Sequence, residues 1–266
     1  MFYKKEFYKE NPISFGVFEA ILFILLGILL NILFSFINPN NTISYLNETL
    51  TEIILGILAL ILVFRLNLQY DNFLSIKKST YGLKLGFFII LTGFIQFLIY
   101  ISLNIKNPIN IYMPSLIGGI IFSFAVGFYE ETLMRALILK NLVNNFKNRK
   151  NGIYKAIIIS SLIFGLAHLI NITHASLLDT IIQVFYSTTA GILFGSIYIK
   201  SENLLSIILL HSIFNLCTYL TANLYYTNFI TYSLNTTPQI YIGYNLLLII
   251  GNLIMGIIII NIKKRN

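Results

Sequence analysis

Three stretches of this sequence set ionisable or hydrogen-bonding side chains one helical turn apart in apolar surroundings: EETLMR at 130–135, FGLAH at 164–168 and HSIFN at 211–215. In the first, Glu131 and Arg135 are i,i+4 neighbours able to pair along one helix face. Glu130 is turned about 100° away from that face and has no local cation, so its carboxylate is left for other work. The second stretch puts Phe164 one turn before His168, and the third puts His211 one turn before Asn215. A carboxylate beside an imidazole can position a water, take its proton and aim it at an amide carbonyl. A second imidazole and a carboxamide N–H can then stabilise the oxyanion that forms. The same side chains could instead hold one divalent metal such as zinc, with Glu130, His168 and His211 as ligands and a fourth position open to water. Residue types alone leave both chemistries open, metal-free or metal-dependent. An H-E-x-x-H zinc signature and a G-x-S-x-G serine elbow are both absent from the chain.

The elements that must position these groups follow from the composition. Of 266 residues, 57% are hydrophobic and 11% charged, and the mean hydropathy is +0.80, which places the chain among polytopic membrane proteins. Eight apolar runs are long enough to approach the roughly 30 Å of a hydrocarbon core. They lie near 14–36, 51–67, 84–104, 112–139, 154–171, 176–199, 204–222 and 239–262. The expected fold is therefore all-α, a single transmembrane domain over 1–266 made of about eight helices. Its catalytic core lies in the helices of 112–222. A side chain carrying charge near mid-membrane costs roughly 2.5–3.5 kcal/mol on insertion scales, so it faces a partner or a cavity.

The net charge of +8 is accounted for by orientation. Sixteen of the eighteen Lys and Arg residues fall in one alternating set of segments, from Lys4, Lys5 and Lys9 to Lys263, Lys264 and Arg265; only Lys106 lies opposite, and Arg135 is inside a span. The positive-inside rule then puts both termini in the cytoplasm and leaves no basic patch for nucleic acid. Counting about 1.5 Å per residue from the nearest inner-side charge, Glu130, His168 and His211 lie at depths of roughly 15, 20 and 13 Å. Three separate helices thus bring a carboxylate and two imidazoles to one layer.

Other features carry less. The apolar run after the basic start is read as a retained first helix, because no small-residue cleavage site follows it. Cys217 is the only cysteine, which excludes an intrachain disulfide and reads as a small packing residue. Residues 68–83 mix apolar and basic side chains in the manner of a short surface helix, and Gly191 and Gly195 mark a close helix contact. Glu19 and Asp179 fall within two turns of their helix ends and are read as reaching the interface, with no chemistry assigned.

With its three motifs in this order, the chain resembles the CPBP family of intramembrane proteases, also called the Abi or CAAX amino-terminal protease family, which includes the type II CAAX prenyl endopeptidases. The resemblance runs from Glu130 to Asn215. It implies an intramembrane endopeptidase that hydrolyses a peptide bond in a membrane-associated protein or peptide. Glu130 and His168 would activate the water, and His211 and Asn215 would act as oxyanion donors or metal contacts. Glu131 and Arg135 would order the fourth span, with Phe164 supporting the groove. Family members have been described both as metalloproteases and as metal-free glutamate enzymes. The contrasting reading is a non-catalytic immunity or scaffold protein, or a transporter, that uses the buried charges for a partner helix or a proton path. Abundant Ile, Asn and Lys point to a prokaryotic source, hence to a plasma-membrane location and to clients without prenyl groups.

Overall fold

The computed structural model describes residues 7–38, 46–104, 113–224 and 238–262, and all its regular elements are helical. In chain order they are α1 (Phe7–Glu10), α2 (Pro12–Ile37), α3 (Leu46–Arg65), α4 (Ile76–Leu85), α5 (Phe87–Asn104), α6 (Met113–Glu131), a π-helical segment (Thr132–Leu139), α7 (Lys140–Phe146), α8 (Gly152–Ala167), a 3-10 segment (His168–Thr173), α9 (Leu177–Ser201), α10 (Leu204–Leu224) and α11 (Pro238–Asn261). Each of the eight expected spans coincides with one of these helices or with a continuous run of them.

By length and apolar composition, six of the described helices can cross a membrane; α4 and α5 make a seventh if the pair, bent by 66°, is one span. Within the described residues, α10 offers a shorter apolar stretch, Leu204–Cys217. The protein is thus a polytopic helical membrane protein. Its outward faces agree: α2 turns Phe18, Ile21, Leu25, Leu29 and Phe36 outwards, a surface that only lipid tails solvate without penalty.

Local chemistry sets the helix ends. Proline at the first position starts α2 where its missing N–H costs nothing. The Ser75 and Ser176 hydroxyls cap α4 and α9 by accepting from the Lys78 and Asp179 backbone N–H groups. At the other end of α9, Glu202 takes a left-handed conformation with φ 53°. Asn203 follows, and its side-chain amide donates to Asn72 and Ser75 carbonyls at 2.7 and 3.0 Å while its oxygen accepts from Ser206 N–H at 2.8 Å. One asparagine therefore pins the 66–75 connection to the α9–α10 corner. The short helix expected within 68–83 forms as α4, with Ser79 and Gly82 buried.

The run α6, π segment and α7 is the central element. Every residue from Thr132 to Leu139 is buried, and the segment touches α2, α3, α8, α9 and α10. This position explains how a span can carry Glu131 and Arg135, both fully buried: it is wrapped by other helices and meets lipid nowhere along that stretch. Glu19 corrects one expectation, since it is fully buried inside the bundle instead of reaching the interface. Gly191 packs as expected, because a Cβ there would meet Ser161 atoms at 3.0–3.1 Å.

Candidate active site

Two close approaches bring the motifs together. On α6, a Cβ at Gly127 would lie 2.6 Å from Ser212 Oγ and 3.0 Å from the Ile208 carbonyl, so only glycine lets α6 and α10 meet at this separation. Glu131 is one turn further along the same face, and His211 stands beside Ser212. The result is a hydrogen bond between His211 Nδ1 and Glu131 Oε1 of 2.8 Å. A carboxylate only accepts, so Nδ1 carries the hydrogen and donates it. The other Glu131 oxygen lies 3.0 Å from Arg135 Nε, the i,i+4 pair expected from sequence.

Glu130 occupies the neighbouring face. Its Oε2 is 3.7 Å from His211 Nε2, and its side chain is 25% exposed where that of Glu131 is 0%. The two adjacent acids are therefore unequal: Glu131 is sealed into an ion pair, while Glu130 reaches open space. That space is a cavity of about 330 Å³ lined by Glu130, Tyr129, Phe164, His168, Asn171 and Gln183, together with Glu52 of α3 and residues of α2 and α10.

His168 comes to the cavity from the end of α8, where the backbone tightens into the 3-10 segment. Its Nδ1 lies 2.9 Å from the Phe164 carbonyl. Because a carbonyl cannot donate, Nδ1 holds the hydrogen, and in the neutral tautomer this leaves the lone pair on Nε2. Beyond it, Asn171 donates to Gln183 Oε1 at 2.9 Å, fixing a polar wall between the 3-10 segment and α9.

The guanidinium of Arg135 links the two histidines through aromatic rings. It lies 4.8 Å from the centroid of Phe164 and 5.8 Å from that of Phe194. Phe164 meets His168 edge-on at 4.9 Å, and Phe194 stacks on His211 at 5.3 Å. A fully buried cation is thus balanced by one carboxylate and two ring faces, each ring contact being worth about 2 kcal/mol when desolvated. Phe164 consequently supports both Arg135 and His168 as well as lining the cavity.

Of the residues singled out in the sequence, Glu130, His168 and Phe164 share the cavity, and His211, Glu131 and Arg135 form the buried chain behind it. Asn215 is half-buried one turn after His211 and is not among the residues lining the cavity. The metal reading fares differently. Among the described residues no three His, Cys, Asp or Glu side chains are grouped so that they could hold a metal ion, so as the side chains stand Glu130, His168 and His211 do not form a divalent-metal site and no catalytic step is derived through one.

Sequence reasoning missed Phe194 and Glu52. An aromatic in an apolar helix has no signal separating it from packing. Glu52 did have one, as an acid inside an expected span.

Residues 112–217 match the family described as type II CAAX prenyl endopeptidase Rce1-like. Neither a curated protein nor a solved structure matches the chain. The matched segment holds Glu130, Glu131, Arg135, Phe164, His168, His211 and Asn215, the residues from which this site is built, and over that segment the chain is similar to the Rce1-like type II CAAX prenyl endopeptidases.

Proposed function

We propose that the protein is an intramembrane endopeptidase that hydrolyses a peptide bond in a membrane-associated peptide or protein by means of a carboxylate-activated water. The observation that carries this reading is the asymmetry of the two acids: Glu131 is neutralised and sealed, and Glu130 faces a cavity shared with His168 and close to His211. Glu130 takes a proton from water as general base, and the lone pair on His168 Nε2 accepts the second hydrogen and fixes the direction of attack. The oxygen adds to the scissile carbonyl. His211 can present an N–H to the resulting oxyanion only from Nε2, and only as the imidazolium, for which Glu131 is the counter-ion. The Asn215 carboxamide, one turn along α10, supplies a second donor once substrate is seated. Glu130 then passes its proton to the leaving amine, restoring the carboxylate as the C–N bond breaks.

The setting is an integral membrane protein with both termini on the cytoplasmic side, in the plasma membrane of a prokaryotic cell. The distribution of Lys and Arg along the chain supports the orientation. Mass spectrometry of membrane peptides from cells carrying the wild type or Glu130→Gln tests the function. A product present only with the wild type is expected; identical peptide populations from the two would defeat the reading.

A further inference from the structure

Glu52 lines the cavity with Glu130 but comes from α3, outside the matched residues 112–217. Its placement is built into the packing. A Cβ on Gly56 would overlap the Phe128 ring, so glycine allows α3 to lie directly against α6 at this level. Glu52 is one turn before Gly56 on the same face, which carries it to the cavity wall beside Tyr129 and Glu130. Its Oε2 is buried and has no hydrogen-bond partner among the described residues.

The acids at the site outnumber the basic groups that face them. Arg135 and the His211 ring both engage Glu131, which leaves Glu130 and Glu52 on the cavity wall. No Lys or Arg is among the described residues lining the cavity. A carboxylate held away from water without a cation is costly, so an acid in that position takes up a proton instead; a ligand bearing a positive charge favours the ionised form and pairs with it on binding. We propose that Glu52 is a specificity-determining residue that pairs with a lysine or arginine side chain of the peptide, close to the scissile bond. The assignment rests on the endopeptidase reading. It narrows the substrates to peptides with a basic residue at one fixed register from the cut, because a site built to pair a polar group rejects the analogue lacking it.

The test uses the full-length protein in lipid nanodiscs with acyl-anchored peptides in which one lysine, or its acetylated form, is moved stepwise through a neutral sequence. Acetylation removes the charge while keeping the side chain. At one register the wild type should bind the lysine peptide at least about tenfold more tightly than its acetylated partner, equivalent to about 1.4 kcal/mol. Glu52→Gln should bind the two alike, and Glu52→Asp should keep part of the preference. Thermal unfolding of each variant reports folding, and the Asp variant stands in if the Gln variant unfolds. Equal binding of both peptide forms by the wild type at every register overturns the proposal, as does a preference that survives Glu52→Gln. Cleavage of the same peptides is followed by mass spectrometry. Glu52-dependent binding without cleavage of any peptide defeats the endopeptidase reading alone; cleavage without a charge preference defeats the Glu52 assignment alone.

Discussion

His211 donates its Nδ1–H to Glu131 across 2.8 Å, between helices whose residues are eighty positions apart in the chain. Because the other Glu131 oxygen is held by Arg135 at 3.0 Å, the carboxylate cannot turn, and the imidazole is locked with Nε2 towards Glu130. The arrangement has the logic of a triad orienter, a buried acid that fixes tautomer and ring direction without touching substrate.

Glu131→Gln tests that role. A carboxamide offers one acceptor oxygen where two are used, so either His211 or Arg135 loses its partner. In an unrelated triad the acid-to-amide change at the orienting position lowers turnover by about 10⁴. We expect a loss of about 10²-fold or more in kcat, with KM nearly unchanged, when cleavage of a reporter peptide is followed in proteoliposomes. A change confined to KM would assign Glu131 to substrate binding instead.

Arg135 should behave as a structural cation. Arg135→Met leaves Glu131 buried without its charge partner and removes the guanidinium from Phe164 and Phe194. Breaking a buried pair from one side costs about 3–5 kcal/mol, so thermal unfolding in detergent should show a large drop in midpoint. The double variant Glu131→Gln/Arg135→Met removes both charges and should recover part of that stability while remaining inactive. Arg135→Lys should rescue poorly, since an ammonium cannot lie flat between two rings. A double variant no more stable than Arg135→Met would mean that the pair contributes little.

The Glu131–Arg135 pair was legible because i,i+4 spacing fixes it within one helix whatever the tertiary fold. Convergence of Glu130, His168 and His211 was legible as a common depth, since rise per residue converts sequence position into height. Which face each helix turns inwards was not. It depends on pairwise approaches such as Gly127 against Ser212 and Gly56 against Phe128, and those are properties of two segments at once. The π-helical turn after Glu131 left no pattern among Leu, Met, Ala and Ile, because a fully buried segment has no polar face by which its period could be counted. Glu19 misled for a related reason: two turns from a helix end suits a side chain reaching water as well as one wrapped by neighbours.

Gly127 provides a direct check on how α6 and α10 are joined. Gly127→Ala would place a methyl 2.6 Å from Ser212 Oγ and 3.0 Å from a backbone carbonyl. The hydroxyl can move, but the carbonyl belongs to a helix. Overpacking of this kind costs about 1–3 kcal/mol, and the helices should separate enough to lengthen the Glu131–His211 hydrogen bond. Activity is expected to fall with Gly127→Ala and to recover only partly in Gly127→Ala/Ser212→Gly, because the clash with the Ile208 carbonyl remains. Full activity in the single variant would show that α6 and α10 are not held at this separation during turnover.

Metal removal distinguishes the two chemistries that the residue types had left open. A catalytic zinc needs three protein ligands with their lone pairs aimed at one point, and no three such side chains are grouped for it among the described residues. Purified protein dialysed against a strong chelator should therefore cleave its reporter peptide at an unchanged rate. Elemental analysis of the active preparation should find transition metal well below one ion per chain. Activity lost on chelation and restored by zinc alone would require His168 and His211 to swing together around Glu130, and would overturn the assignment of Glu130 as a base acting on free water.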